Sequence, residues 1–309
     1  MLFRSIVPEL PEVETVRRGL ALWLPGKEIS AIEILHPRAV RRNDGPFLDS
    51  INMRGKKNPL VGSRILNINR RGKFLWFTFD RPFSLVIHLG MSGQLLLPTH
   101  DEVNQRTSPH LRARMNFVES ERELHFVDQR TFGYLSVEDL VSDPHEGSFL
   151  DSSIPKSIEH IAPDLMELFA GSTSMAVDAV KKRIRVSDRA IKRVLLDQEV
   201  ISGIGNIYAD EGLWAAQIHP ERSASSLTSQ KVERLLICLR DVMESALAAG
   251  GTSFDDLYIN VNGESGYFDV QLSAYGREDQ PCPRCGTLIQ RLRFMNRSSH
   301  LCPKCQKKG

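Results

Sequence analysis

The chain has 309 residues, of which 41% are hydrophobic and 25% are charged, and its formal net charge is +2 at pH 7. This length allows two or three domains, and the composition is that of an ordinary globular protein. No apolar run approaches the roughly 20 residues of a membrane helix. Acidic residues follow the opening MLFRSIV at once, which makes it a poor secretion signal, so we expect a cytoplasmic protein.

The first half of the chain predicts one helix and then antiparallel strands. A helix is expected over residues 11–24, because Pro11 suits a first helical turn and apolar residues recur on one face. Alternating runs separated by turn residues then indicate an antiparallel sandwich. These runs are EISAIEIL, SRILNINRRGKFLWFTFD, SLVIHLGMSGQLLL and ARMNFVESERELHFVDQ. Residues 101–112 are expected to form a surface loop.

The second half is predicted to be helical. Residues 142–160 are rich in Gly, Ser and Pro and are interpreted as a linker and domain boundary. The clearest helix is predicted over residues 229–249, with Thr228 as its N-cap and a glycine pair after it. Cys238 lies beside the apolar stripe of this helix and is interpreted as a small buried hydrophobic residue.

A glycine-containing turn joins two further helical segments. The segments are residues 188–197 and 207–216, and the turn between them contains Gly203, Gly205 and Asn206. Backbone amides at a helix start can bind phosphate, although most such turns are only loops. The spacing predicts a helix–two-turn–helix motif.

Four cysteines near the end of the chain have the spacing of a metal site. Two Cys-x2-Cys pairs, separated by 16 residues, are typical of tetrahedral zinc coordination by four thiolates. Disulfides are the weaker explanation in a chain without a secretion signal. Four protein ligands leave no position for water, so we expect one structural Zn²⁺ that supports the hairpin 288–301. The ligands are Cys282, Cys285, Cys302 and Cys305.

The same C-terminal segment is basic. Residues 281–309 contain seven Arg and Lys residues and no acidic one, which favours a polyanionic partner. A disordered basic tail is the alternative, and the four cysteines argue against it.

Several loop residues could contact a ligand. Lys73 follows Gly72 at a strand start and could reach a phosphate, or it could be a solvated turn lysine. Met91, Arg130 and Phe132 could project from loops at the sandwich edge and wedge into a base stack, although Met91 and Phe132 taken singly are more often core residues. The glycine- and serine-rich stretch 261–276 is interpreted as a mobile loop able to close over a small ligand.

Together these motifs resemble a known family. PELPEVETVRRGL, RRGKFLWF, IHLGMSGQL, DQRTFG, GIGNIYADE, GYF, YGRE and the four cysteines occur in the order found in bacterial formamidopyrimidine-DNA glycosylases, which repair 8-oxoguanine. The resemblance implies an α+β multidomain fold. We therefore expect an N-terminal helix with a β-sandwich over 8–150, a helix–two-turn–helix domain over 160–255, a lesion-recognition loop over 256–275 and a zinc finger over 276–309.

The resemblance also implies roles for individual residues. It implies Pro8 as the nucleophile, Glu9 as the neighbouring acid and Glu12 as a further acidic residue of the helix. Lys73 and Arg297 would act at phosphates around the lesion. The DNA-binding residues would be Met91, His110, Arg130, Phe132, Asn206 and Tyr267, of which Arg130 would also recognise the cytosine left unpaired. Gln129 and Thr131 replace the Pro and Arg usual at their positions in the family.

The implied activity is excision of oxidised purines from double-stranded DNA, followed by cleavage at abasic sites. Pro8 would need a free amine, so residues 1–7 should be absent from the active protein. Either Val7 marks the true start, or the extension is real and the protein is inactive or processed. We expect a monomer without membrane association, close to the bacterial nucleoid.

Two alternatives remain open at this point. One is an endonuclease VIII-like glycosylase for oxidised pyrimidines, although that branch begins with PEGPE-type sequences instead of PELPEVE. The other is a DNA-binding protein without catalysis, which would follow if residues 1–7 are retained.

Overall fold

The computed structural model describes residues 8–43, 58–105, 108–145, 153–170, 174–249 and 272–308. Contacts divide these residues into two units. The first contains residues 8–143 and 153–159, and the second contains residues 144–145, 160–249 and 272–308. In the part of the chain that is described, no helix is long and apolar enough to cross a membrane.

The first unit begins with helix α1, Leu10–Ala21, close to the predicted 11–24. Its apolar face, which includes Val13, Val16 and Leu20, is buried in the core of the unit. Pro11 lies in the first turn, where its missing N–H leaves no helical hydrogen bond unmade.

The strands of this unit form two antiparallel sheets, as the alternating pattern predicts. One sheet has the order β1-β6-β7-β5 and the other has the order β2-β3-β4-β8-β9. Apolar residues from both sheets and from α1 share one core. The strands are β1 Ile29–Ile34, β2 Ile65–Arg71, β3 Phe74–Phe79, β4 Phe83–His88, β5 Gly93–Leu96, β6 Leu111–Phe117, β7 Leu124–Asp128, β8 Tyr134–Ser142 and β9 Ser153–Pro155.

Two predictions for this unit are wrong in part. Helix α2, His100–Gln105, takes up the first part of the expected surface loop 101–112, because Thr99 and Glu102 hydrogen-bond each other around its start. The expected linker 142–160 contains β9, which pairs with the end of β8. Strand β8 itself was not predicted, because the half-buried Glu138 and the exposed Asp139 interrupt its apolar pattern.

The second unit is mainly helical. The predicted helix 229–249 is confirmed as α7, Ser229–Ala248, and the Thr228 side chain accepts a hydrogen bond from the Lys231 N–H. Helix α5, Ile191–Leu195, is shorter than the predicted 188–197, because Ala190 has a non-helical backbone conformation and pairs with Ser223. The helices are α3 Leu165–Ala170, α4 Ser174–Arg185, α5 Ile191–Leu195, α6 Asn206–Ala216 and α7.

The turns between α5 and α6 are organised by one side chain. The Gln198 side chain accepts a hydrogen bond from the Gly203 N–H and donates to the Ile204 carbonyl. Gly203 has a φ of 87°, a conformation that favours glycine. The helix–two-turn–helix motif is thus present as predicted.

The unit ends in a two-stranded hairpin, β10 Gln290–Phe294 and β11 Arg297–Leu301, within the predicted 288–301. The α+β fold expected from the sequence, with its sandwich, helical part and cysteine-rich end, is confirmed.

Candidate functional site

The start of α1 holds two predicted catalytic residues in buried positions. Pro8 is buried, and Glu9, only 2% exposed, is the N-cap residue of the helix. The Glu9 N–H donates to Glu12 Oε2 at 2.9 Å, and the Glu9 carboxylate accepts the Glu12 N–H in a reciprocal capping box. Carboxylates are stabilised at a helix N-terminus, where the backbone amides point outward. The fold therefore holds the Pro8–Glu9 pair against the sandwich core.

A buried ion pair connects α1 to the turn that carries Lys73. Arg70 Nε lies 2.9 Å from Glu14 Oε2, and Arg70 also donates to the Gly72 carbonyl at 3.1 Å. Burial by itself raises the pKa of Glu14, but hydrogen bonds and positive charge from Arg17 and Arg70 outweigh it and lower the pKa to about 2. Glu14 is therefore a stable anion that fixes this turn against the helix.

Lys73 is half-buried in the turn between β2 and β3, where the sequence predicts it. Nearby, the ring of His88 lies 4.8 Å from Phe74 and stacks on Tyr134 at 5.6 Å. Burial, together with the charges of Lys73, Arg42 and Arg41, lowers the pKa of His88 to about 4. The imidazole is neutral at pH 7, and its Nδ1 accepts the Gly90 N–H at 3.0 Å.

The three predicted wedge residues lie on two loops of the sandwich. Met91 is half-buried between β4 and β5, whereas Arg130 and Phe132 are exposed between β7 and β8. The Arg130 guanidinium lies 5.1 Å from the centre of the Phe132 ring. His110 is half-buried just before β6, and its carbonyl accepts the Asp128 N–H at 2.9 Å. The structure thus brings His110 to the base of the loop that carries Arg130.

In the second unit, Asn206 and Arg297 are brought together. Asn206 is the first residue of α6, and its Nδ2 donates to the carbonyl of Ser298 at 3.1 Å. Arg297 is the preceding residue, exposed at the start of β11. The Lys192 ammonium donates to the same Ser298 carbonyl at 3.0 Å. Two polar side chains from the helical part therefore hold the hairpin next to Arg297.

A fully buried carboxylate strengthens this connection. Asp210 on α6 lies 2.6 Å from the Lys192 ammonium. It also accepts hydrogen bonds from the Ser299 hydroxyl at 2.9 Å and from the His300 N–H at 2.8 Å. Since its partners come from α5 and β11, Asp210 joins three elements.

The next residue, Glu211, anchors the segment that precedes the cysteines. Its carboxylate accepts the N–H groups of Ser273, Ala274 and Tyr275 at 2.7–2.8 Å. Burial raises the pKa of Glu211 above its usual value, against the opposing effect of these three amides. The Tyr275 ring then packs edge-on against His300 at 4.9 Å.

The four cysteines form the metal site that their spacing predicts. Their sulfur atoms all lie within 4.8 Å of one another, and two of the pairs are 3.5 Å apart. Zn–S bonds of about 2.3 Å in a tetrahedron require sulfur–sulfur distances of roughly 3.8 Å, so the cluster fits zinc. The Trp214 indole donates to Cys282 Sγ at 3.4 Å, as neighbouring donors often do around such sites. The protein holds one structural zinc ion at this cluster.

Sequence reasoning missed several residues around these sites. The contacts in the folded sandwich were needed to find Arg41, His88, Ser92 and Asp128. For Asp128 the sequence does offer a signal, because an Asp stands there at the end of an apolar strand. Tyr267, the opening residues 1–7 and the predicted loop 256–275, apart from 272–275, lie outside the described residues.

Family models match most of the chain. They are the formamidopyrimidine-DNA glycosylase N-terminal domain over residues 7–135, the H2TH domain of the same family over 162–257, and a zinc finger found in this family and in isoleucyl-tRNA synthetase over 279–308.

Similar proteins agree with these matches. The chain is 49% identical to a formamidopyrimidine-DNA glycosylase from Acidothermus cellulolyticus, with 97% of both chains covered. It also resembles a solved MutM bound to DNA containing carbocyclic 8-oxo-G, with 32% identity and a TM-score of 0.77. A Lactococcus lactis Fpg bound to DNA with an oxidised pyrimidine is 31% identical, with a TM-score of 0.77. Both comparisons cover 97% of this chain and all of the other.

The order of the domains, the zinc cluster and the similarity along nearly the whole chain lead to one assignment. The chain belongs to the formamidopyrimidine-DNA glycosylase family and is a DNA glycosylase and AP lyase of base excision repair.

Proposed function

We propose that this protein excises oxidised purines, 8-oxoguanine and formamidopyrimidines, from double-stranded DNA with Pro8 as the nucleophile. The observation that carries this proposal is the buried Pro8–Glu9 pair at the start of α1, held there by the capping box with Glu12. The solved relative with 8-oxo-G in its DNA supports the substrate class.

The chemistry begins at the sugar of the damaged nucleotide. The Pro8 nitrogen attacks C1′, the glycosidic bond breaks, and the base leaves with the bonding electrons and a proton. Glu9 protonates the ring oxygen of the sugar, which opens the ring. The nitrogen loses its own proton as it forms a positively charged iminium with C1′. This iminium acts as an electron sink, so C2′ loses a proton and the 3′ phosphate leaves by β-elimination. C4′ then loses a proton and the 5′ phosphate leaves by δ-elimination.

The choice of a proline amine follows from acid–base chemistry. A lysine ammonium has a reference pKa of about 10.4, whereas an α-amine has one of about 7.7–8.0, so more of the α-amine is neutral at pH 7. An amide nitrogen has no available lone pair, because resonance delocalises it into the carbonyl. The reaction therefore requires a form of the protein in which Pro8 is the first residue.

The remaining site residues would hold the DNA. A duplex hides the glycosidic bond, so the nucleotide must rotate out of the stack and the gap must be filled. Met91, Arg130 and Phe132 would fill that gap, and Arg130 would recognise the unpaired cytosine. Lys73, His110, Asn206, Arg297 and Tyr267 would contact the DNA, mainly at phosphates, which fix the register of the protein.

The experiment compares two forms of the protein, one beginning at Pro8 and one with residues 1–7 attached, each checked by mass spectrometry. We expect borohydride to trap a covalent complex with 8-oxoguanine DNA for the first form only. Equal trapping by the form with an intact extension would identify another amine, with Lys73 the first to test.

Oxidised pyrimidines are the second candidate substrates, because a similar Lactococcus lactis protein has been solved with such DNA. Excision rates for 8-oxoguanine and thymine glycol in matched duplexes distinguish the two substrate classes. A faster rate on thymine glycol would overturn the preference for purines.

The proposal also covers the state of the protein in the cell. We expect a cytoplasmic monomer associated with the nucleoid, whose partner is double-stranded DNA with oxidised bases or abasic sites. If the form beginning at Pro8 bound such DNA but gave neither excision nor trapping, the chain would be a non-catalytic DNA-binding protein of the same fold.

A further inference from the structure

Two loops of the sandwich carry the proposed wedge residues. The first wedge loop, residues 89–92, carries Met91, and the second wedge loop, residues 129–133, carries Arg130 and Phe132. They follow strands β4 and β7, which belong to different sheets of the first unit. The strands on either side of the loops are paired, His88 opposite Tyr134 and Gly93 opposite Asp128, so strand pairing brings the two loops together. Contacts between the loops then fix their conformation.

Asp128 makes the central contact. It is fully buried at the end of β7 and accepts the Ser92 hydroxyl of the first wedge loop at 2.6 Å. Its other oxygen accepts the Gly133 N–H at 2.7 Å. The backbone N–H of Arg130 donates to the Ser92 hydroxyl oxygen at 3.0 Å and to Asp128 Oδ1 at 3.2 Å. One carboxylate and one hydroxyl thus join both loops next to Arg130.

The two backbones are also in direct contact. A Cβ at Gly90 would lie 2.5 Å from the Gly133 nitrogen, and a Cβ at Gly133 would lie 2.8 Å from the His88 carbonyl oxygen. Only residues without a side chain allow this approach. The loops therefore pack as one block, and neither can shift without displacing the other.

Arg41 holds the second wedge loop from its outer side. Its guanidinium donates to the carbonyls of Phe132 and Gly133, both at 2.7 Å, and to the carbonyl of Arg38 at 2.7 Å. Arg41 lies just after the 3₁₀ turn Pro37–Val40, so it connects a third segment to the loop. These bonds orient the backbone on either side of the exposed Phe132 ring.

We propose that Asp128, Ser92 and Arg41 are positioning residues that hold Met91, Arg130 and Phe132 in a preformed wedge before DNA binds. This inference rests on the proposed function, because it assumes that these three side chains enter the base stack. A wedge already held by these hydrogen bonds needs no ordering when it meets the duplex, so binding energy is available to unstack the base.

The test uses the form of the protein that begins at Pro8 and two substrates. A duplex with 8-oxoguanine opposite cytosine requires the wedge, whereas a single strand with an abasic site has neither a stacked base nor an opposite base. We expect Ser92→Ala and Arg41→Ala to slow excision from the duplex by about tenfold, equal to about 1.4 kcal/mol. Both should also weaken discrimination between cytosine and adenine opposite the lesion, as Arg130→Ala should. Borohydride trapping on the single strand should not change.

Matched variants control for general loss of stability. Ser84→Ala removes an equally buried hydroxyl that donates to the Glu138 carbonyl, outside both loops. Arg64→Ala removes an exposed guanidinium that binds the Gly26 carbonyl and Glu28. Neither control should alter the rate of excision from the duplex or the discrimination between cytosine and adenine opposite the lesion.

The outcomes separate the two proposals. The inference is overturned if Ser92→Ala and Arg41→Ala keep the wild-type duplex rate and discrimination, or if they reduce activity on both substrates equally. If the unsubstituted protein beginning at Pro8 is not trapped on the single strand, the proposed nucleophile is wrong, which is a separate result.

Discussion

At the scale of single residues, the second wedge loop contains an unusual backbone conformation. Thr131 has a φ of 57°, in the left-handed region that β-branched residues rarely adopt. Its hydroxyl donates to the Arg130 carbonyl at 2.7 Å. The surrounding hydrogen bonds to Asp128 and Arg41 hold the loop in place and so impose this conformation on Thr131.

We expect the residue at position 131 to affect stability through its tolerance of this conformation. Thr131→Asn and Thr131→Val both lose the hydroxyl, but Asn accepts the left-handed region and Val does not. The Asn variant should be more stable than the Val variant by about 1 kcal/mol. Urea unfolding of the two variants measures this difference, and equal midpoints would show that the loop relaxes without strain.

At the scale of secondary structure elements, single buried carboxylates join segments that are distant in the sequence. Glu14 fixes α1 to the turn after β2, Asp128 joins the two wedge loops, and Asp210 fixes α5 and β11 to α6. Each accepts several hydrogen bonds, as a buried charge requires. These carboxylates hold the predicted site residues of each unit in place.

Acid should weaken the attachment of α1. The pKa of Glu14 is lowered from its usual value to about 2 in the folded protein, so its contribution to stability is complete above the unfolded pKa near 4.5. It is lost as the pH falls from there toward 2, by up to about 3 kcal/mol. In Glu14→Gln the free energy of unfolding should be lower than in wild type at pH 6, with the difference vanishing near pH 2. A difference that is constant across this range would contradict the prediction.

The buried pair of Lys192 and Asp210 should contribute far more than a surface pair. Lys192→Met leaves a buried carboxylate without its cation and should lower the free energy of unfolding by about 3–5 kcal/mol. Lys181→Met is the matched control, since Lys181 pairs with exposed Asp178 and Glu233, and it should cost at most about 1 kcal/mol.

A double variant tests whether the two residues act as a pair. Lys192→Met combined with Asp210→Asn should cost less than the sum of the single changes, because it leaves no unpaired charge. Additive costs, measured by chemical unfolding, would show that the two residues stabilise the fold independently.

At the scale of the whole molecule, each unit has its own set of predicted site residues. The sandwich unit carries Pro8, Glu9, Lys73 and the wedge loops, and the other unit carries Asn206, Arg297 and the zinc cluster. The domain limits drawn from the sequence stay a prediction. The proposed function assigns DNA contacts to both sets.

Loss of zinc should therefore separate DNA binding from the stability of the sandwich. Cys302→Ser should lose the metal and most of the affinity for lesion-containing DNA, because the hairpin with Arg297 depends on the cluster. Thermal unfolding of the sandwich unit should stay as in wild type. Metal analysis measures the zinc content, a binding titration measures the affinity for lesion-containing DNA, and a melting curve measures the stability of the sandwich unit. Wild-type affinity in zinc-free protein would disprove the dependence of DNA binding on the metal.

Much of the fold and part of the site could be predicted from local patterns. The helix Ser229–Ala248 followed from its apolar periodicity and its Thr228 cap, and the zinc ligands followed from their spacing. Strand β8 and the helix at His100–Gln105 were missed, because acidic residues interrupt the alternation of the strand and a short helix depends on its cap.

The sequence by itself therefore determined most of the elements, the metal ligands and the family, since each is encoded by residues that are close together in the chain. Only the tertiary structure decided which side chains meet. Asp128 bonds Ser92 across 36 positions, and Asp210 bonds His300 across 90. The physical reason is that a buried carboxylate takes whichever donors folding brings to it, and no local periodicity specifies those partners.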